Sequence, residues 1–174
     1  MKTHEFTIVA SGLDPEADGY EDRFFEAGCD DATLSFQKGV IIAEFARKAV
    51  SFSKAVANAY EDMLKTGVKI ERVEPDYLVS LSDIAERSGL TRQAISLYTK
   101  AERGSSFPNP VARVTSNSPL WDWLEVTEWL HALSKIDREA VVEARIVKEA
   151  NRFIERHEGE PDGFAKRLAL LEAA

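Results

Sequence analysis

Residues 81–100 read LSDIAERSGLTRQAISLYTK, and two short helices separated by a glycine turn account for the pattern. Ser82 is expected to cap the first helix, with Ile84 and Ala85 on its inner face; Ala85 must be small where a second helix crosses close above it. Gly89 allows the sharp turn, Leu90 fills the space between the helices, and Thr91 caps the second one. Ile95 and Tyr98, three residues apart, pin that second helix to a core. Small residue, turn glycine, plug and inner anchor stand at the separations of a helix-turn-helix.

Once the inner positions are taken, the 3.6-residue period assigns Arg92, Gln93, Ser96, Thr99 and Lys100 to the outer face. Arginine can donate two hydrogen bonds to O6 and N7 of guanine, and glutamine can pair with N6 and N7 of adenine, so Arg92 and Gln93 are the expected base readers. Thr91, Ser96 and Lys100 are expected on phosphates, with Arg103 extending the basic side; Leu97 suits either a thymine methyl or an inward contact.

Residues 105–130 continue SSFPNPVARVTSNSPLWDWLEVTEWL. Pro108 and Pro110 stop helix continuation, residues 111–115 read as a strand, Ser116, Asn117 and Ser118 as a turn, and Leu120 and Trp121 as the return strand. This predicts a wing, with Arg113 and the turn residues Ser116 to Ser118 placed for a flanking phosphate or minor groove. Asp122 with Glu125 predicts a capping box for a third helix whose inner face is Val126, Trp129, Leu130 and Leu133. Trp121, Trp123 and Trp129 are expected in core packing rather than as a stacking platform for single strands.

The helix pair DIAERSGLTRQAISLY, the lead-in FPNPV and the closing WDWLEVTEWL together resemble the small winged-helix domains of the AlpA/excisionase group and, more distantly, MerR-type regulators, over residues 79–133. The resemblance implies double-stranded DNA binding through the second helix and the wing, usually by dimers or arrays. Members often carry a basic residue after the first wing tryptophan, where this chain has Asp122.

Upstream, residues 5–10 alternate as a strand, and residues 20–27 place Tyr20, Phe24 and Ala27 at helical spacing before Gly28. Residues 32–37 and 40–47 are β-rich runs joined by Lys38 and Gly39, a hairpin signal. Phe52, Val56, Tyr60, Met63 and Leu64 form a helical stripe, capped by Ser51 or Ser53 and stopped at Gly67; residues 68–73 return to strand. The order β-α-β-β-α-β predicts a ferredoxin-like sandwich. The expected class is α+β: a ferredoxin-like domain over residues 1–76, a winged helix-turn-helix over 79–133, and C-terminal helices over 134–174 that dimerise or close the core. Residues 135–157 read as one helix, with Ile136, Ala140, Ala144, Val147, Ala150 and Ile154 in a stripe for a dimer partner in preference to the chain's own core. Phe164, Leu168, Leu170 and Leu171 predict a short last helix.

The net charge of −8 alone argues against nucleic acid, but its distribution does not. From Arg87 to Arg113 five basic side chains face Glu102 alone, a basic window on an acidic protein. Cys29 is the single cysteine and is expected as a core filler; His4, His131 and His157 lack metal-ligand spacing, so neither a metal nor a cofactor is expected. The acidic run Asp14, Glu16, Asp18, Glu21 and Asp22 lacks the pattern of a calcium loop. Without a phosphate loop, an activated nucleophile or a paired-carboxylate site, an enzyme is not expected. No apolar run of membrane-spanning length or signal peptide is visible, which predicts a cytoplasmic protein. The function expected is a sequence-specific regulator binding double-stranded DNA as a homodimer, its N-terminal domain receiving a protein partner or small-molecule effector. The alternative is a protein-interaction module, an antitoxin-like or phage-related adaptor whose N-terminal domain grips a partner protein.

Overall fold

The computed structural model describes residues 1–100, 106–156 and 163–172, which form an α+β protein of seven helices, a four-stranded antiparallel sheet and a two-stranded one. The chain divides into two units, one of residues 1–75 with 146–174 and one of residues 76–145.

In the first unit β1 (Lys2–Ser11), α1 (Tyr20–Ala27), β2 (Ala32–Gln37), β3 (Val40–Ala49), α2 (Phe52–Lys65) and β4 (Lys69–Glu74) follow one another, and the sheet order is β2-β3-β1-β4. The β2–β3 hairpin turns at Lys38 and Gly39, both at positive φ (52° and 85°), as a two-residue loop matched to strand twist requires. Alternation buries Phe6, Ile8 and Ala10 of β1 with Ile41, Ala43 and Phe45 of β3, and Phe6 stacks on Phe45 at 5.3 Å. The α2 stripe Val56, Tyr60 and Met63 is buried too, and Ser51 is its N-cap, accepting from the Lys54 amide.

The second unit contains β5 (Leu78–Val79), α3 (Leu81–Ser88), α4 (Arg92–Thr99), β6 (Trp121–Asp122) and α5 (Trp123–Ala132). Its core is Val79, Ile84, Ala85, Ile95, Trp121, Trp123, Val126, Leu130 and Ala144. β5 pairs antiparallel with β6, Val79 opposite Trp121.

Several local expectations are corrected. The cap of α3 is Ser80, not Ser82: the Ser80 hydroxyl accepts from the Asp83 amide and the Asp83 carboxylate accepts from the Ser80 amide, a reciprocal pair that a cap at Ser82 could not form. Residues 111–115 form no strand. Pairing stops at Leu120, whose carbonyl accepts from the Val111 and Ala112 amides and whose amide donates to Ala112 O, because Arg113 turns into the left-handed region (φ 51°) and its carbonyl accepts from both the amide and the hydroxyl of Ser116. Leu133 is exposed: α5 ends there, with Ser134 at φ 56° and the Lys135 amide donating to Leu130 O. The long helix, α6, therefore starts at Arg138 rather than residue 135, where Asp137 accepts from the Ala140 amide as its cap.

The C-terminal segment does not stand apart as a third piece. α6 (Arg138–Arg156) belongs to the second unit up to Arg145 and to the first from Ile146. Its stripe residues Ala144, Val147, Ala150 and Ile154 are already buried within this one chain, so the face offered in the sequence to a dimer partner is used for the protein's own core. α7 (Phe164–Glu172) folds back onto α2, with Phe164 stacked 4.0 Å from Tyr60 and Glu172 accepting from the Ser53 amide at 2.8 Å. Leu170, expected on the apolar side of this helix, is exposed.

Candidate nucleic-acid interface

The local chemistry of residues 80–100 explains why α3 and α4 meet at a fixed angle. Ser88 donates its hydroxyl to Ile84 O at 2.6 Å and Gly89 takes φ 68°, which ends α3. Two residues on, the Thr91 hydroxyl accepts from the Ala94 amide at 3.1 Å and starts α4. Ile84 and Ile95 are fully buried between the helices, and Leu90 packs against the same core half-buried.

The inner side of α4 is held by aromatic rings. Tyr98 meets Trp129 of α5 at 4.9 Å, Trp129 meets Phe107 at 5.0 Å, and Phe107 meets Trp121 at 6.4 Å, all near edge-to-face. Trp121 Nε1 also donates to Pro108 O at 3.0 Å, which fastens the FPNPV segment. Phe107 and Pro108 thus position the loop that carries Arg113.

On the outer side Thr91, Arg92, Gln93 and Lys100 are exposed, and Ser96 is half-buried. Arg92 and Lys100 make no ion pair with a described residue. Thr99 does not join this face: it is half-buried and donates its hydroxyl to Ser96 O at 2.9 Å. Leu97 is half-buried. Arg113, Ser116, Asn117 and Ser118 are all exposed on the turn after Ala112, and the Ser116 hydroxyl organises it by accepting from the Ser118 amide at 3.1 Å. Arg103 lies outside the described residues.

Arg87, counted in the basic window, has another task. Its guanidinium donates to Asp76 O at 2.5 Å and lies 5.5 Å from the Trp123 ring centre, tying α3 to the start of the unit. The positive charge open to a ligand is therefore narrower than the basic window suggests. The S-x-x-D spacing at residues 80–83 carries the signal for the capping pair of α3 that a cap at Ser82 passes over, whereas nothing in sequence spacing marks Arg87 as a partner of Trp123.

The exposed groups are Thr91, Arg92 and Gln93 at the start of α4, Lys100 at its C-cap, and Arg113 on a turn with Ser116, Asn117 and Ser118. Chemically this set donates hydrogen bonds and attracts anions. It contains no nucleophile with a base. Among the described residues no cluster of histidine, cysteine or carboxylate side chains could hold a metal ion, and no helix is long and apolar enough to cross a membrane. Comparison of the chain with protein-family profiles, curated proteins and solved structures found no match.

Proposed function

We propose that the protein is a sequence-specific regulator that binds double-stranded DNA, with residues 79–133 acting as a winged helix-turn-helix and α4 entering the major groove. The observation that carries this reading is the contrast between the two sides of α4. Ile95 and Tyr98 hold one side, while Arg92, Gln93 and Lys100 stand exposed on the other. Many arginines elsewhere are engaged, Arg47, Arg72, Arg145, Arg152 and Arg167 in ion pairs and Arg23 donating to Thr66 O, whereas Arg156 on α6 is exposed without one among the described residues. Cations on a rigid helix with no acidic partner among the described residues suit a polyanion.

In this mechanism the side chains divide by reach. Arg92 and Gln93, on the first turn, read base edges; Thr91, Ser96 and Lys100 hold phosphates. Arg113 and the Ser116 to Ser118 turn contact the flanking backbone, playing the part of a wing. The N-terminal unit, whose strand order and paired helices suit a ferredoxin-like sandwich, supplies assembly or regulation.

Selection of bound sequences from random duplex DNA, followed by titration of the recovered site against salt, tests the proposal. The expected result is a steep loss of affinity with salt. Replacing Lys100 and Arg113 together with alanine should lower the slope of log K against log salt by about 2, near one unit for each cation withdrawn from the phosphate backbone. Failure to recover any site, or a slope near zero, overturns it.

A further inference from the structure

The two edges of the four-stranded sheet are treated differently. At the β4 edge, Asn151 of α6 is buried and binds both main-chain groups of Val73: the Val73 amide donates to Asn151 Oδ1 at 2.7 Å, and Asn151 Nδ2 donates to Val73 O at 2.9 Å. That edge is sealed by a side-chain amide.

Among the described residues the β2 edge has no such seal. The Ala46 amide donates to Asp31 O, so in the register Thr33↔Glu44 and Ser35↔Ile42 the odd residues of β2 bond inward to β3. Leu34 and Phe36 consequently aim their N–H and C=O groups away from the sheet, as does the Ala32 carbonyl; the Ala32 amide is used by Cys29 O. The strand reads ATLSFQ, without the lysine, proline or inward charge that usually protects an edge. Phe36 on β2 is 46% exposed, and Phe25 on α1 is 68% exposed. A groove of about 470 Å³ lies between α1 and β2, lined by Phe24, Phe25, Ala32 and Leu34 and rimmed by Glu21, Asp22 and Asp30.

We propose that β2 is a homodimer interface, pairing antiparallel with β2 of a second copy to make a continuous eight-stranded sheet. The two-fold axis of such a pair is normal to the sheet and keeps both helix-covered faces on one side, so even-numbered residues meet even-numbered ones. With Leu34 opposite Leu34, the two Leu34 residues exchange main-chain bonds and each Phe36 amide reaches the Ala32 carbonyl of the other copy. The Phe36 side chain then lies over the small Ala32 of the other copy, one of the residues that line the groove. Charge agrees: exposed Asp30 before one strand comes to the end of the ladder occupied by exposed Lys38 after the other. A parallel arrangement would set like charges together.

The inference does not depend on DNA binding, and its test uses the full chain without DNA. Light scattering and sedimentation should show a dimer. Phe36→Glu, which places a carboxylate at an acid-rimmed groove, should raise the dimer dissociation constant at least about tenfold while the circular dichroism spectrum is kept. Leu34→Cys should form a disulfide-linked dimer under mild oxidation, because directly opposed hydrogen-bonded residues have Cα atoms about 5.5 Å apart. Thr33→Cys, with no copy of itself opposite, should not. Cys29 does not interfere, being buried with its thiol pushed up to about 11, first by burial and then by Asp62. A monomer at about 100 µM, a folded Phe36→Glu variant that dimerises undiminished, or linkage by Thr33→Cys in place of Leu34→Cys would overturn the proposal.

Discussion

Tyr98 of α4 and Trp129 of α5 meet edge to face, their ring centres 4.9 Å apart and their planes at 71°. Through these rings the helix that exposes Arg92 and Gln93 is held against the helix that closes the same core. Orientation of the candidate DNA-facing side chains thus rests on packing at the opposite side of α4.

Trp129→Ala should remove the ring packing against both Tyr98 and Phe107, costing about 3 kcal/mol of stability in a urea titration. DNA affinity should fall further than after Lys100→Ala, although Trp129 is not placed at the interface. Unfolding unchanged within about 0.5 kcal/mol would show that the rings do not support α4.

The Asp83 carboxylate is held below its ordinary pKa, first by the Ser80 hydroxyl and then by the Ser80 amide. A carboxyl group depressed in the folded state stabilises it above the unfolded pKa, and the contribution is lost as pH falls through the folded value. Thermal unfolding followed between neutral and acid pH should show Asp83→Asn losing less stability on acidification than the parent. Parallel curves would remove Asp83 from the acid response.

Arg47 is buried and gathers three elements: it holds both oxygens of Asp31 at 2.9 and 2.8 Å, Asp62 at 2.7 Å and the carbonyl of Gly28 at 2.7 Å. Arg47→Met leaves two carboxylates facing each other with only Lys65 still bound to Asp62, and should cost about 3 kcal/mol by denaturant titration. Arg47→Lys keeps the charge but cannot serve these acceptors together, so it should recover only part of the loss.

Asn151→Leu should strand the buried amide and carbonyl of Val73, at a cost of about 2 to 3 kcal/mol, and expose the β4 edge to exchange. Hydrogen exchange read at Val73 would report it directly: protection equal to that of the parent would mean that Asn151 does not seal the edge.

The Arg47 and Asn151 interactions also mark where sequence reading stops. Element types along residues 1–75 are legible because period two and period 3.6 depend on neighbours a few residues apart. The Lys38–Gly39 turn and the Gly28 stop likewise follow from backbone sterics alone. The pairing of Asn151 with Val73 spans 78 residues, and no local rule connects them.

For the candidate interface the division is similar. Thr91 as cap, Ile95 and Tyr98 as inner anchors, and Arg92, Gln93 and Lys100 as outward residues all come from helical geometry in one short segment. Sequence periodicity could not tell that Thr99 turns its hydroxyl back on its own helix, that Arg87 is occupied by Asp76 and Trp123, or that positive φ at Arg113 reduces the expected strand to a single bridge. Nor could it say who buries the α6 stripe. An apolar stripe is the same pattern whether its own chain or a second copy covers it, and here the tertiary structure covers it from within, while β2 stands at an edge of the sheet.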